Sequence, residues 1–169
     1  MNSVLAAWNN ADEATAIETM IACCGSRRWA KAMVALRPIT DLVELSTAAD
    51  RVWNTMKEPD WMEAFACHPR IGTRSGPPVT ARSDAWSRQE QSLTTGAAEH
   101  VLTKLSEDNA LYEKRFGFTY IVCATGKSAD EMLEILEQRL ANDRATELRE
   151  AAEQQRQITQ IRLGKWLLS

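Results

Sequence analysis

Thr119-Tyr-Ile-Val-Cys-Ala-Thr125 is the most strand-like stretch of the chain, an apolar run closed by a threonine at each end. By periodicity alone it reads as a buried strand. A strand needs a partner, and no second run of this kind occurs in the 169 residues. The segment is therefore read as an irregular or short helical connection, and the chain as all-α. The expected architecture is one domain over residues 1–169, a helical bundle of about eight to nine helices.

The flanks agree with that reading. Downstream, Ser128-Ala-Asp-Glu131 has the capping-box pattern, and Met132, Leu133, Leu136 and Leu140 follow at helical spacing. A last long helix is expected from about Arg144 to Leu167. Upstream, helices are expected from Ser83 and again after Thr94 or Thr95, where Val101, Leu102, Leu105 and Tyr112 mark an apolar side. Residues 72–82 hold two prolines and two glycines and form the one clear loop, a candidate lid. All five prolines lie at or before position 78, which suits long helices in the second half.

Nearer the N-terminus, Asn10 precedes an acidic first turn and reads as an N-cap, with Ile17, Met20, Ile21 and Cys24 inside the helix and Gly25 ending it. Ser26 caps a second helix that stops before Pro38. Thr40 or Asp41 opens a third, with Leu42, Leu45, Ala49, Val52 and Trp53 on one face. A short helix from Pro59 to Phe65 ends before His68-Pro69, because a residue preceding proline avoids the helical region.

Composition narrows the function classes. Twenty Lys+Arg stand against 23 Asp+Glu, a net charge of −3 with a pI near 5.5. A general polyanion binder needs a basic excess, so nucleic acid is not an expected partner. The N-terminal residues show no signal-peptide pattern and no stretch is long enough to span a bilayer, so no membrane association and a cytoplasmic location are expected. Cys23, Cys24, Cys67 and Cys123 form no CxxC pair, which argues against a disulfide framework or a zinc site. Gly126-Lys127-Ser128 lacks the upstream glycine of a phosphate loop, since Ile121 stands there, and reads as a turn followed by a cap.

Three features invite chemistry. Of the two histidines, His68 sits between the end of a helix and a loop, held by Pro69, whereas His100 lies in a polar stretch and reads as surface. Imidazole is the side chain whose ordinary pKa suits proton transfer near neutrality. Ser87, Glu90 and Gln91 share one helical face and form either a hydrogen-bonding wall for a polar ligand or a solvated surface. Arg162 projects among Leu148, Ala151, Ile158 and Ile161, inside an apolar stripe. A guanidinium there requires an anionic or carbonyl partner, either a structural one or a substrate.

Several blocks together resemble a known family. Cys24-Gly-Ser-Arg-Arg-Trp29, Arg37-Pro38, Trp61-Met-Glu-Ala-Phe65 and His68-Pro-Arg-Ile-Gly72 are similar to the first half of the 2-oxo-4-hydroxy-4-carboxy-5-ureidoimidazoline (OHCU) decarboxylases. Ser87-x-x-Glu90-Gln91, Asn109-x-x-Tyr112, Phe116-Gly-Phe118, Val122-Cys-Ala-Thr-Gly126, Arg139-x-x-Asn142, Glu147-Leu148 and Ile161-Arg-Leu163 continue the likeness in order. Ile39 departs from it, standing where an aromatic is common after Arg-Pro.

The resemblance implies an all-helical homodimeric carboxy-lyase, without metal or organic cofactor, that decarboxylates OHCU to (S)-allantoin in the last step from urate. It implies His68 as the essential histidine and Pro69, Ser87, Glu90, Gln91, Val122 (through its backbone) and Arg162 as substrate contacts; the proton transfer that the reaction needs then makes His68 and Glu90 the expected catalytic residues. Arg70 is a further cation available to an anionic substrate, and Trp166 is a candidate for the dimer surface. The rival readings are a non-catalytic ureide- or purine-binding helical domain with the same pocket, and a helical interaction or nucleic-acid-binding module.

Overall fold

Why the chain is helical is visible in its caps. The computed structural model describes residues 2–72, 80–94 and 96–169, and among them there are nine α-helices, one 3-10 turn and no strand. The regular elements are α1 (Ser3–Asn10), α2 (Glu13–Cys24), α3 (Arg27–Ala35), α4 (Leu42–Trp53), α5 (Glu58–Phe65), α6 (Ala81–Glu90), α7 (Glu99–Phe116), α8 (Ala129–Arg139) and α9 (Arg144–Leu167), with the 3-10 turn at Ser92–Thr94. Ser26, Asp41 and Ser128 accept backbone N–H groups as N-caps of α3, α4 and α8, and Gly25 ends α2 in the left-handed region at φ 90°.

Two expected boundaries differ. Asp12, not Asn10, caps α2; Asn10 turns its amide back to the carbonyl of Ala6 at 2.8 Å, inside a separate helix α1 capped by Asn2. Thr80, not Ser83, caps α6, and Ser83 is the third residue of the same capping box, returning a bond to the Thr80 N–H at 3.1 Å. Helix α7 begins at Glu99, after Thr94, with no side-chain cap; Thr95 lies outside the described residues. The loop at 72–82, with its lid role, also falls largely outside them, at 73–79.

The chain divides into two compact units, Met1–Ala64 with Arg156–Ser169, and Phe65–Gln155. In the first, α2 packs on α3 and α3 on α4. Trp29 is fully buried and donates its indole N–H to the Ala49 carbonyl at 3.2 Å. Trp166 is buried edge-on against Trp8 at 5.8 Å, so it is core and not dimer surface. Arg37 donates to the carbonyls of Trp8 and Ala11, both at 2.8 Å, at the end of α1 where Trp8 also accepts the Ala11 N–H at 3.3 Å. Ile39 is buried and exchanges two backbone hydrogen bonds with the Asn9 side chain. Leu42, placed with the apolar face of α4 by its spacing, is half exposed because it lies in the first turn.

In the second unit, α7 packs on α8. Tyr112, Phe116, Phe118 and Tyr120 stack at centroid distances of 4.7 to 6.2 Å, with Phe65 against Phe118 at 5.4 Å. Gly117, in the left-handed region at φ 84°, turns the chain out of α7. The run from Thr119 onward has no regular structure, as expected, yet Tyr120 to Ala124 are all buried.

Candidate active site

Helix α6 is unusual in what it hides. Its buried residues are Ser83, Ser87 and Glu90, spaced four and three apart along one stripe. An ordinary amphipathic helix buries an apolar stripe; this one turns two hydroxyls and a carboxylate inward, groups that must be met by polar partners. Ser83 is used by the capping box, which leaves Ser87 and Glu90 as the wall that the sequence spacing suggested. Gln91 is the C-cap of the same helix and only half-buried.

The segment from His68 to Gly72 is held at three points. The imidazole Nε2 of His68 lies 2.7 Å from Oε1 of Gln155, a completely buried residue of α9. Arg70 donates from Nε to Glu113 of α7 at 2.8 Å, and its Nη2 bonds the second carboxylate oxygen. The Gly72 N–H donates to Oε1 of Gln91 at 3.1 Å. This last contact joins two predicted site elements: the amide of Gln91 is tied by its oxygen to the histidine segment, which leaves its N–H groups to donate elsewhere. Arg70 thus forms a two-pronged ion pair with Glu113 while its side chain stays 45% exposed.

The buried connection after α7 is held on both sides of Val122. Arg139 of α8 donates from Nη1 to the Ile121 carbonyl at 2.6 Å. The Cys123 N–H donates to Gln154 Oε1 at 2.8 Å, and the Cys123 carbonyl accepts from Lys127 Nζ at 2.8 Å. For the N–H and carbonyl of Val122 itself no hydrogen bond is found among the described residues, although Val122 is buried. Buried backbone groups are nearly always paired, so this peptide is the natural place for an outside donor or acceptor.

Behind that connection lies a closed polar cluster. Glu147 is fully buried and accepts from Arg139, from the Tyr112 hydroxyl and from Asn142 Nδ2 at 2.9 Å. Burial pushes the Tyr112 and Tyr120 phenols well above the ordinary tyrosine range, with the nearby Glu147 carboxylate adding to the shift and the Arg139 charge opposing it. For Arg139 burial is the largest single effect and works against the charge, but the hydrogen bond to Glu147 and the attractions of Tyr112, Glu147 and Tyr120 together outweigh it, so the guanidinium is held above its ordinary range.

Arg162 is buried on α9, as its position in the apolar stripe predicted, and it belongs to the first unit. Pro69 is half-buried beside His68, and His100 is exposed on α7. The residues that sequence reasoning missed are Gln154, Gln155 and the Arg139–Glu147–Tyr112 cluster. For Gln155 a signal existed: Leu148, Ala151, Gln155, Ile158 and Arg162 form one buried stripe, so the projection that singled out Arg162 also contains the glutamine. Among the described residues no group of three or more His, Cys, Asp or Glu is arranged to hold a metal ion, and no helix is long and apolar enough to cross a membrane.

Comparison with known proteins fits this geometry. A family model described as OHCU decarboxylase matches residues 9–164. The chain is 40% identical over 146 residues to the uric acid degradation bifunctional protein TTL of Arabidopsis thaliana, covering 85% of this chain and 44% of that protein. It is 24% identical over 129 residues to the 2-oxo-4-hydroxy-4-carboxy-5-ureidoimidazoline decarboxylase of Haloferax volcanii, covering 76% and 74%. It thus spans less than half of the plant protein and most of the archaeal one. A crystal structure of an OHCU decarboxylase in the presence of (S)-allantoin superposes with a TM-score of 0.78 at 34% identity, covering 90% of this chain and 99% of that one. With the family model running through nearly the whole chain, and the ordered sequence blocks falling on the polar wall, the histidine segment and the held connection, the chain belongs to the OHCU decarboxylase family.

Proposed function

We propose that this chain is a carboxy-lyase that converts OHCU to (S)-allantoin without a cofactor, acting as one domain over residues 1–169, as a homodimer, in the cytoplasm. The observation that carries the reading is the inward-facing Ser87 and Glu90 of α6, a polar wall in a chain of this family.

The chemistry asks for little beyond orientation and proton handling. In OHCU the carbon that carries the carboxylate and hydroxyl adjoins a C=N bond. When CO₂ departs, the electron pair of the broken C–C bond forms a C=C bond to the ureido-bearing carbon, and the C=N electrons move to the ring nitrogen, which takes a proton. The hydroxyl then gives up its proton as it becomes the ring carbonyl, and the ureido-bearing carbon gains one. The substrate supplies its own electron sink; the protein orients the carboxylate, excludes water and passes protons.

In this reading His68, with Glu90, exchanges the hydroxyl proton. Arg162 and Gln91 anchor ring carbonyl and ureido groups through directional hydrogen bonds, Ser87 adds a hydroxyl, Pro69 packs beside the ring, and the Val122 peptide meets it through its backbone. Delivery of the carbon-bound proton from one face makes the product a single enantiomer.

The test forms OHCU in place from urate with the two enzymes that precede this step, and follows allantoin by circular dichroism. The proposal predicts a dichroic product that appears faster than in the enzyme-free control and as one enantiomer. Binding of OHCU with product formation no faster than the control would instead assign the chain as a silent ureide-binding domain.

A further inference from the structure

We propose that Gln154 is a positioning residue: working against Arg139, it sets the N–H and carbonyl of Val122 as a fixed donor–acceptor pair for an adjacent C=O and N–H of the substrate. That the ligand is a ureide rests on the decarboxylase reading above. That the pair is held ready for a ligand rests on the hydrogen bonds around it.

The direction of both groups follows from their neighbours. In a planar trans peptide the carbonyl and the N–H point to opposite sides, and both peptides of Val122 are trans. Arg139 of α8 holds the Ile121 carbonyl at 2.6 Å, so the Val122 N–H, in the same peptide, is turned away from that guanidinium. Gln154 of α9 holds the Cys123 N–H at 2.8 Å, so the Val122 carbonyl, across that peptide, is turned away from the Gln154 amide. Lys127 holds the next carbonyl, that of Cys123, at 2.8 Å and restrains the connection from swinging about the Gln154 contact. One donor and one acceptor are left over, on a residue only 4% exposed, and neither is paired among the described residues. Buried backbone groups of this kind call for a partner.

The same bonds set strength as well as direction. Hydrogen bonds in a chain polarise one another, so a donor on a peptide's carbonyl makes its N–H a better donor, and an acceptor on its N–H makes its carbonyl a better acceptor. Arg139 brings a charged guanidinium to the Ile121 carbonyl. On the other side Gln154 donates to Glu150 at 3.0 Å, so a carboxylate stands behind the amide that accepts the Cys123 N–H. One chain therefore runs from Arg139 through the Ile121 carbonyl to the Val122 N–H. The other runs from Glu150 through Gln154 and the Cys123 N–H to the Val122 carbonyl.

The ligand that matches such a pair carries an N–H beside a C=O. OHCU and allantoin both hold this unit, in the ring and in the ureido arm. Neither bond is to the carboxylate that leaves, so the contact is made equally before and during the reaction. It contributes binding and orientation rather than bond breaking, and its loss is read in KM and not in kcat.

The sequence has a single Ile-Val junction, Ile121–Val122, and a single Val-Cys junction, Val122–Cys123. Full-length protein labelled with carbon-13 at the carbonyl of the first residue and nitrogen-15 in the second therefore gives one NMR signal for each peptide. The probe titrated is (S)-allantoin. Both signals should move along one binding curve. Gln154→Leu should shrink the movement of the Val122 carbonyl and raise KM for OHCU by about fivefold, with kcat within about twofold of the parent. The double variant Glu150→Gln, Gln154→Glu exchanges the two side chains and keeps an acceptor for the Cys123 N–H, so its KM should return to within about twofold of the parent. A Gln154→Leu variant that is less stable but has an unchanged KM overturns the proposal. Parent signals that allantoin does not move overturn it too, whether or not either variant folds. If OHCU is turned over while those signals stay still, the inference fails and the decarboxylase reading stands. If allantoin moves both signals but OHCU is not turned over, the decarboxylase reading fails and the Val122 pair stands as a ureide contact.

Discussion

Arg139 donates from Nη1 to the carbonyl of Ile121 at 2.6 Å, tying the end of α8 to a long buried stretch of the second unit that has no helix of its own. That stretch cannot satisfy its own backbone, so it borrows a guanidinium, and the guanidinium needs Glu147 to be tolerated inside the protein. Replacing Glu147 with Leu leaves the Arg139 charge buried without its carboxylate. We predict a loss of about 3–5 kcal/mol in urea unfolding, since breaking one side of a buried pair strands the other. A loss below about 1 kcal/mol would show that the cluster carries no such charge.

Both tyrosines of the chain are buried, and burial raises both phenols. Unfolded tyrosine loses its proton near the ordinary value of 10.0, while the folded phenols keep theirs. Above that pH the folded state binds more protons than the unfolded one, so stability is full below about pH 10 and falls as pH rises past it. The slope contributed is about 1.4 kcal/mol per pH unit for each tyrosine. Tyr112→Phe should remove one such share of the alkaline slope, measured by urea unfolding at a series of pH values. Tyrosinate absorbance appearing before unfolding would contradict it.

Gln154 is the acceptor for the Cys123 N–H. Gln154→Leu should leave that buried donor unpaired at a cost of roughly 1–3 kcal/mol. Amide hydrogen exchange at Cys123 should quicken selectively, with the amides of α7 unaffected. Unchanged protection at Cys123 would mean that the bond does not hold the connection.

How much of this was legible beforehand depended on whether the signal was local. Gly25, Ser26, Asp41 and the Ser128–Glu131 box act on their own backbone within a few residues, so those helix ends were readable. The misplaced caps were choices between neighbours of equal chemistry, Asn10 against Asp12 and Ser83 against Thr80, which only the exact start of the turn separates. Thr119 to Thr125 was read correctly as irregular because a strand without a partner is untenable, but its supports come from Arg139 and Gln154, far along the chain, and left no local trace. Among the site residues, Arg162 stood out because a charge in an apolar stripe is conspicuous. Gln155 sits in the same stripe, yet a neutral amide there is unremarkable until its histidine is seen. The pairing of Arg70 left no local trace for a similar reason, since its partner Glu113 lies 43 residues away.

Arg162 carries a shape argument as well as a charge. Lysine in its place keeps the charge but loses the planar fork. In the proposed role, Arg162→Lys should raise KM for OHCU by about tenfold, roughly 1.4 kcal/mol of binding, with a far-ultraviolet dichroism spectrum like that of the parent. A KM within a factor of about two of the parent would remove Arg162 from the substrate contacts.

The role of His68 is tested most directly by the initial rate of dichroic allantoin formation from OHCU generated in place, compared between the parent protein and a folded His68→Asn variant. The account predicts rapid formation of one enantiomer by the parent, and only the slow racemic background with the variant. Full stereospecific activity in His68→Asn would contradict it.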